Sequence, residues 1–224
     1  MPPCRFRFPD PRGADEDGLV ASGGDLEPAT LLAAYRGGIF PWPAEGIDLL
    51  WWSPDPRAVL PPDGVHVSRS LRRTLRQARF RVTIDAAFDD VIDACADRGG
   101  EGTWITPALR AAYARLHRLG WAHSVEVWAG GALVGGLYGV ASGGLFAAES
   151  MFHRVHDASK VALVALGQHA GAVGVTLIDV QLPSPHLESM GAVTLARADY
   201  LDALALALAR PVNFTGGAAV SPVE

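Results

Sequence analysis

Lysine occurs once in this 224-residue chain, at Lys160, and cysteine twice, at Cys4 and Cys95. Two cysteines cannot build a disulfide framework or a cysteine zinc site. No apolar run reaches the roughly 18 residues that a membrane span requires. The N-terminal stretch MPPCRFRFPDP lacks the apolar region of a secretory signal, so the expectation is a cytoplasmic protein without membrane contact. Charge is also scarce, at 19% of residues, and its balance is acidic: 19 Lys and Arg against 24 Asp and Glu, a net −5. Taken alone, that total weighs against a nucleic-acid partner. Apolar residues are abundant, at 49%, which excludes disorder and supplies a sizeable core.

Texture divides the chain. Residues 1–62 are broken by Pro and Gly (FPDPRG, SGGDLEP, GIFPWPAEG, WWSPDPR) and hold three of the six tryptophans, Trp42, Trp51 and Trp52. A helical pattern there is confined to 28–37, so a small, loop-rich N-terminal domain is expected. A larger domain, 63–224, reads as helix (68–79), strand (81–84), helix (86–97) and helix (106–119). HSVEVW, ALVGGLYGV and LFAAESMF then form an antiparallel meander separated by glycine-containing turns. Helix 159–173, strand 175–182 and helix 197–210 follow, with a tail from about 211 expected to fray. The fold class is α+β.

RSLRRTLRQARFR, residues 69–81, concentrates six arginines in thirteen positions without an acid; removing them from −5 leaves −11 for the remainder. In a helix capped by Ser68, Arg69, Arg72, Arg73 and Arg76 share one face at i, i+3, i+4 and i+7, while Leu71, Leu75 and Ala78 turn to the core. Stacked cations repel, and arginine in a first turn opposes the helix dipole. A docked phosphate reverses both penalties. The alternative is a solvated face.

In LIDVQL, 177–182, period-2 alternation places Leu177, Asp179 and Gln181 on one face and Ile178, Val180 and Leu182 on the other. An acid and an amide two apart in an apolar strand are costly to bury unless hydrogen-bonded or lining a cavity. Glu149, the single charge in LFAAESMF, poses the same choice between an internal partner and a substrate contact. Other motifs carry less. GGALVGGLYG has no following helix to present amides to a pyrophosphate. His153 and His156 have metal-ligand spacing but no evident third ligand, so no metal is expected. Ser150 lies outside a GxSxG elbow. Cys95 sits on an apolar helix face.

Across residues 18–192 the chain resembles the bacterial leucyl/phenylalanyl-tRNA–protein transferase family. The strings that carry the resemblance are GLVASGGDLEPATLLAAYRGGIFPW, LLWWSPDPRAVL, HVSRSLRR, EGTWIT, AYARLHRLGWAHSVEVW, LVGGLYGV, LFAAESMF, ASKVAL, LIDVQL and HLESMGA. The resemblance implies an acetyltransferase-like (GNAT) larger domain. It also implies transfer of Leu or Phe from Leu-tRNA or Phe-tRNA to the α-amine of proteins beginning with Arg or Lys, which marks them for degradation. No cofactor is implied, and a monomer is expected. By position, Asp179 and Gln181 match the catalytic pair and Glu149 the acidic site residue. Leu137, Phe146, Leu166 and Ile178 match the apolar pocket for the donor side chain. Tyr35, Trp42, Trp104 and Tyr113 match aromatic positions around the tRNA 3′ adenosine and site entrance. Arg69, Arg72, Arg73, Arg76 and Arg79 match the acceptor-stem cluster. Departures fall at Leu137, where methionine is common, at Leu166, where Phe can stand, and at Ala148 and Gln77.

Such a reaction starts from an activated ester and an amine of pKa roughly 8, so it needs positioning more than a strong base. The expectation is that Gln181 orients the amine and Asp179 holds Gln181 or strengthens it as an acceptor. The competing reading, an acyl-CoA-dependent N-acetyltransferase, wants a glycine-rich loop before the helix at 159–173. The chain has SMFHRVHDASK there.

Overall fold

The computed structural model describes residues 4–43, 49–97, 99 and 102–216. Its Pro- and Gly-broken N-terminal part yields short elements: strand β1 (Leu19–Ser22), helix α1 (Pro28–Arg36), β2 (Phe40–Pro41) and β3 (Leu50–Trp52). Pro28 opens α1, where a missing N–H goes unused. The three strands pair antiparallel in the order β1–β3–β2. Trp51, fully buried, ties this sheet inward: its Nε1 donates to the Gly23 carbonyl at 2.8 Å, and Phe8 packs edge-on against it.

The remaining chain supplies β4 (Arg57–Leu60), α2 (Arg69–Arg76), β5 (Arg81–Ile84), α3 (Phe88–Ala96), α4 (Pro107–Arg118), β6 (Ala122–Ala129), β7 (Ala132–Ser142) and β8 (Leu145–His153). After these come α5 (Ala158–Val173), β9 (Leu177–Gln181), α6 (Pro185–Ser189), β10 (Val193–Leu195) and α7 (Arg197–Leu208). Seven strands form one sheet in the order β10–β4–β9–β8–β7–β6–β5. All its pairings are antiparallel except β8 with β9, which α5 joins as a crossover. The α+β reading and the meander are therefore present. Strand β4 lies before residue 62, yet it is hydrogen-bonded into this larger sheet.

Burial explains the arrangement. β9, most of β7 and the first turn-side residues of β8 (Leu145–Ala147) are covered on both faces, while the middle of β8 is only half-buried. One core cluster packs α5 against the sheet, and a second gathers α1, α3 and α4 on β7 and β8. Gly139 of β7 is needed for close approach: a Cβ there would lie 2.3 Å from the Ala147 carbonyl oxygen and 2.6 Å from the Phe146 ring. This glycine of LVGGLYGV therefore makes room for Phe146.

Two expectations are corrected. The arginine helix ends at Arg76 and not at 79, because Ala78 turns left-handed (φ 48°) and is exposed; it does not anchor to the core. The tail does not fray from 211 over its described part. Phe214 is buried and stacks on Phe146 with centroids 4.8 Å apart, and the Phe214 carbonyl lies 2.6 Å from His169 Nε2. An aromatic side chain with an apolar slot to fill outweighs the disorder suggested by the surrounding glycines. Residues 217–224 lie outside the described part.

Candidate active site

Asp179 and Gln181 sit at the end of β9, and Glu149 lies on the adjacent β8. The parallel ladder between these strands runs only through Leu145–Leu177, Phe146–Ile178 and Ala147–Asp179, so Glu149 and Gln181 stand just beyond its end. A hydrogen bond bridges the gap: Gln181 Nε2 donates to Glu149 Oε1 at 3.2 Å. The β4–β9 register shifts between Ala58 and Val59, and Gln181 adopts a left-handed backbone (φ 58°), a strained conformation for a non-glycine residue.

What holds that conformation is Asp179. Its Oδ1 accepts the Gln181 backbone N–H at 3.0 Å and Arg57 Nε at 2.8 Å, while Oδ2 accepts Arg57 Nη2 at 2.7 Å and the Tyr200 hydroxyl at 2.8 Å. Arg57 and Asp179 are each 1% exposed. The Arg57 guanidinium also donates to the Gly38 carbonyl and lies over the Phe40 and Tyr200 rings. Burial is the strongest single influence and opposes its charge, but Asp179, Tyr200 and Glu149 together outweigh burial and hold it above its ordinary value. A buried pair this well hydrogen-bonded serves as a fixed part; leaving either charge alone would cost several kcal/mol, about 3–5. Asp179 thus reaches Gln181 through the backbone N–H, and the Gln181 side chain is left to Glu149.

Glu149 also terminates a phenol relay. Tyr113 donates to Glu149 Oε2 at 2.7 Å, and the Tyr35 hydroxyl lies 2.5 Å from that of Tyr113. Burial, followed by the charge of Glu149, pushes both phenols well above their ordinary range, so they stay protonated donors. Burial likewise raises Glu149 to about 7, against the pull of the Tyr113 and Tyr35 hydrogen bonds; Asp179 adds to the rise and Arg57 opposes it. Part of the Glu149 residue surface still reaches solvent.

The four aromatics split into two pairs. Tyr35 and Tyr113 are interior, behind Glu149. Trp42 and Trp104 stack on each other at 5.4 Å near the surface, with Trp42 39% exposed. Leu137, Phe146, Leu166 and Ile178 are all fully buried in one cluster, and Phe146 pairs across the ladder with Ile178. Arg69, Arg72, Arg73, Arg76 and Arg79 are exposed, and none forms an ion pair among the described residues. The first four line a surface hollow of about 390 Å³ with Gln77. Ser68 caps α2 by accepting the Leu71 N–H, and Thr74 donates to Asp157 at the start of α5. Asp157 occupies the N-cap position of α5 without its side chain accepting from a helix amide; its carboxylate accepts from Thr74 and pairs with Lys160.

Sequence reasoning missed Arg57, Tyr200 and Phe214. Arg57 did leave a signal: RAVL and LIDVQ are apolar runs carrying one isolated charge each, of opposite sign. Tyr200 left none.

Chemically, this site accepts hydrogen bonds and fixes orientation, which suits a transferase acting on an already activated substrate. A model of the family described as leucyl/phenylalanyl-tRNA protein transferase matches residues 59–205, and a model of that family's N-terminal domain matches residues 24–55. A leucyl/phenylalanyl-tRNA–protein transferase from Chromohalobacter salexigens is 57% identical over 95% of this chain and 85% of its own. One from Stutzerimonas stutzeri is 55% identical over 94% and 92%. Among solved structures, a GCN5-related N-acetyltransferase from Kribbella flavida aligns at TM-score 0.42, with 13% identity over 75% of this chain and 61% of its own. The chain belongs to the leucyl/phenylalanyl-tRNA–protein transferase family.

Proposed function

We propose that this chain transfers leucine or phenylalanine from aminoacyl-tRNA to the α-amine of proteins that begin with Arg or Lys, acting as a monomer in the cytoplasm. The carrying observation is that relatives more than half identical along nearly the whole chain bear the name of that reaction. The geometry supports it with a site built to orient an amine.

In the reaction the amine nitrogen forms a bond to the aminoacyl carbonyl carbon, and the ester bond to the tRNA ribose breaks. The amine gives up one proton and the leaving ribose oxygen gains one. Gln181 is the residue that meets the amine. Because its Nε2 donates to Glu149, its amide oxygen points away from Glu149 as the acceptor of an amine N–H. Arg57, Asp179 and Tyr200 are positioning residues that hold the left-handed turn at Gln181. Leu137, Phe146, Leu166 and Ile178, closed from behind by Phe214, form the slot for the donor side chain. Trp104 receives the terminal nucleoside, Trp42 stands at the site entrance, and the arginines of α2, with Arg79, take acceptor-stem phosphates. An acyl-CoA donor is disfavoured because the segment leading into α5, SMFHRVHDASK, has no glycine with which to cradle a pyrophosphate.

The test is transfer of labelled leucine from Leu-tRNA to an Arg-starting peptide, with a Met-starting peptide as control. Strong labelling of the first alone is expected. No labelling, or equal labelling of both, refutes the reading.

A further inference from the structure

Next to Gln181 in the chain, at Leu182, lies a cleft of about 240 Å³ lined by Asp17, Phe40, Trp42, Trp52, Pro54 and Leu182. That is room for about eight waters, or one long side chain. Leu182 joins it directly to the site, being the next residue after Gln181. Phe40 joins it too, because its ring lies against the Arg57 guanidinium.

The chemistry of the cleft is specific. Three aromatic rings form its walls and an exposed carboxylate stands at its rim, the combination that holds a cation on an apolar stem. Asp17 is held in place by its turn. Asp15 Oδ1 accepts the Asp17 and Leu19 N–H groups, Ser53 N–H donates to the Gly18 carbonyl at 2.7 Å, and a Cβ on Gly18 (φ 89°) would lie 2.6 Å from Pro54 Cα. Asp17 forms no ion pair among the described residues. Asp15 and Glu16 precede it, so this rim is acidic, whereas the exposed arginines of α2 form a separate basic surface. A nucleotide phosphate is repelled at the first surface and attracted to the second.

The geometry points to this cleft as the subsite for the acceptor's first side chain: the Arg or Lys stem lies between Trp42 and Trp52, and its charge meets Asp17. The assignment rests on the reaction proposed above and places the acceptor's α-amine next to Gln181. It leaves Glu149 to its contacts with Tyr113 and Gln181 instead of the acceptor's cation.

The test compares wild type with Asp17→Asn and Asp17→Lys, using Leu-tRNA and peptides beginning with Arg, Lys or citrulline, the last a neutral shape match for Arg. Asp17 is exposed, so both variants keep the fold. The wild-type preference for Arg over citrulline, as kcat/KM, should shrink about 3- to 10-fold in Asp17→Asn through the acceptor KM, and vanish in Asp17→Lys. A preference unchanged within about two-fold in both variants overturns the subsite. So does a loss that falls on the KM for Leu-tRNA equally with all three peptides, which would put the nucleoside in the cleft. Wild-type protein that transfers to none of the peptides refutes the reaction itself, a separate result that takes the subsite with it.

Discussion

Changing Glu149 to Gln removes an acid that the folded chain keeps largely protonated until the pH approaches about 7, and the effect on stability can be worked out in sign and size. Burial moves the carboxyl from an ordinary 4.5 to about 7. Below about pH 4.5 it is protonated in both folded and unfolded chains, and its ionisation does not affect stability. Between those values the unfolded chain releases the proton and the folded chain keeps it, so stability falls by about 1.4 kcal/mol per pH unit. Above about 7 both forms are ionised and the loss levels off at about 3 kcal/mol, an order-of-magnitude figure. Urea unfolding followed by circular dichroism at pH 5, 6, 7 and 8 measures it. Glutamine mimics the protonated acid, so wild type should lose stability relative to Glu149→Gln as pH rises, then run parallel to it. A difference flat within about 0.5 kcal/mol over that range would refute the reasoning. A slope of the opposite sign would mean that a cation dominates Glu149.

Arg57→Met strands the Asp179 carboxylate and should destabilise the fold by about 3–5 kcal/mol, with transfer activity falling in the fraction that remains folded; thermal unfolding and the leucine-transfer assay check both. Phe214→Ala should cost about 3–5 kcal/mol and, by opening the back of the slot at Phe146, raise the ratio of Phe to Leu transfer; an unchanged ratio in folded protein would remove Phe214 from the slot. Replacing Arg69, Arg72, Arg73 and Arg76 together by Gln should flatten the salt dependence of tRNA binding, reducing the log–log slope by about 3–4, against no change for a merely solvated face. Transfer from Leu-tRNA should exceed transfer from Ile-tRNA by about 10- to 200-fold, because an apolar slot discriminates branching only to that extent.

The elements that could be read from the chain were those with room to show a period, together with the four-residue RVTI, marked by its run of β-branched residues. RVTI at 81–84 has its expected bounds, and the meander strands begin and end within a few residues of the apolar runs that announced them. Strands β1 to β4 and β10 are two to four residues long, too short for alternation to register, and their place is set by partners far along the chain. The candidate site divides similarly. Asp179, Gln181 and Glu149 stood out as lone polar groups in apolar strands, and they are adjacent in space. Local pattern could not reveal that Asp179 is saturated by Arg57 and Tyr200, because those contacts depend on which strands become neighbours. Nor could it show Gln181 in a left-handed turn, since alternation assumes the strand continues.

The bonds around Asp179 join positions 122 and 21 residues apart in the chain, to Arg57 and Tyr200 respectively. A polypeptide is made from its N-terminus, so a growing chain holding β8 and β9 but ending before residue 200 has no Tyr200 to complete the carboxylate's set, and none of the Phe214 wall. Apart from the local bond from the Gln181 N–H to Asp179, the contacts that fix Gln181 are long-range, and long-range pairings form late. Copies on the ribosome that have not yet reached Tyr200 and Phe214, surrounded by charged tRNA and newly made N-termini, therefore lack a complete centre.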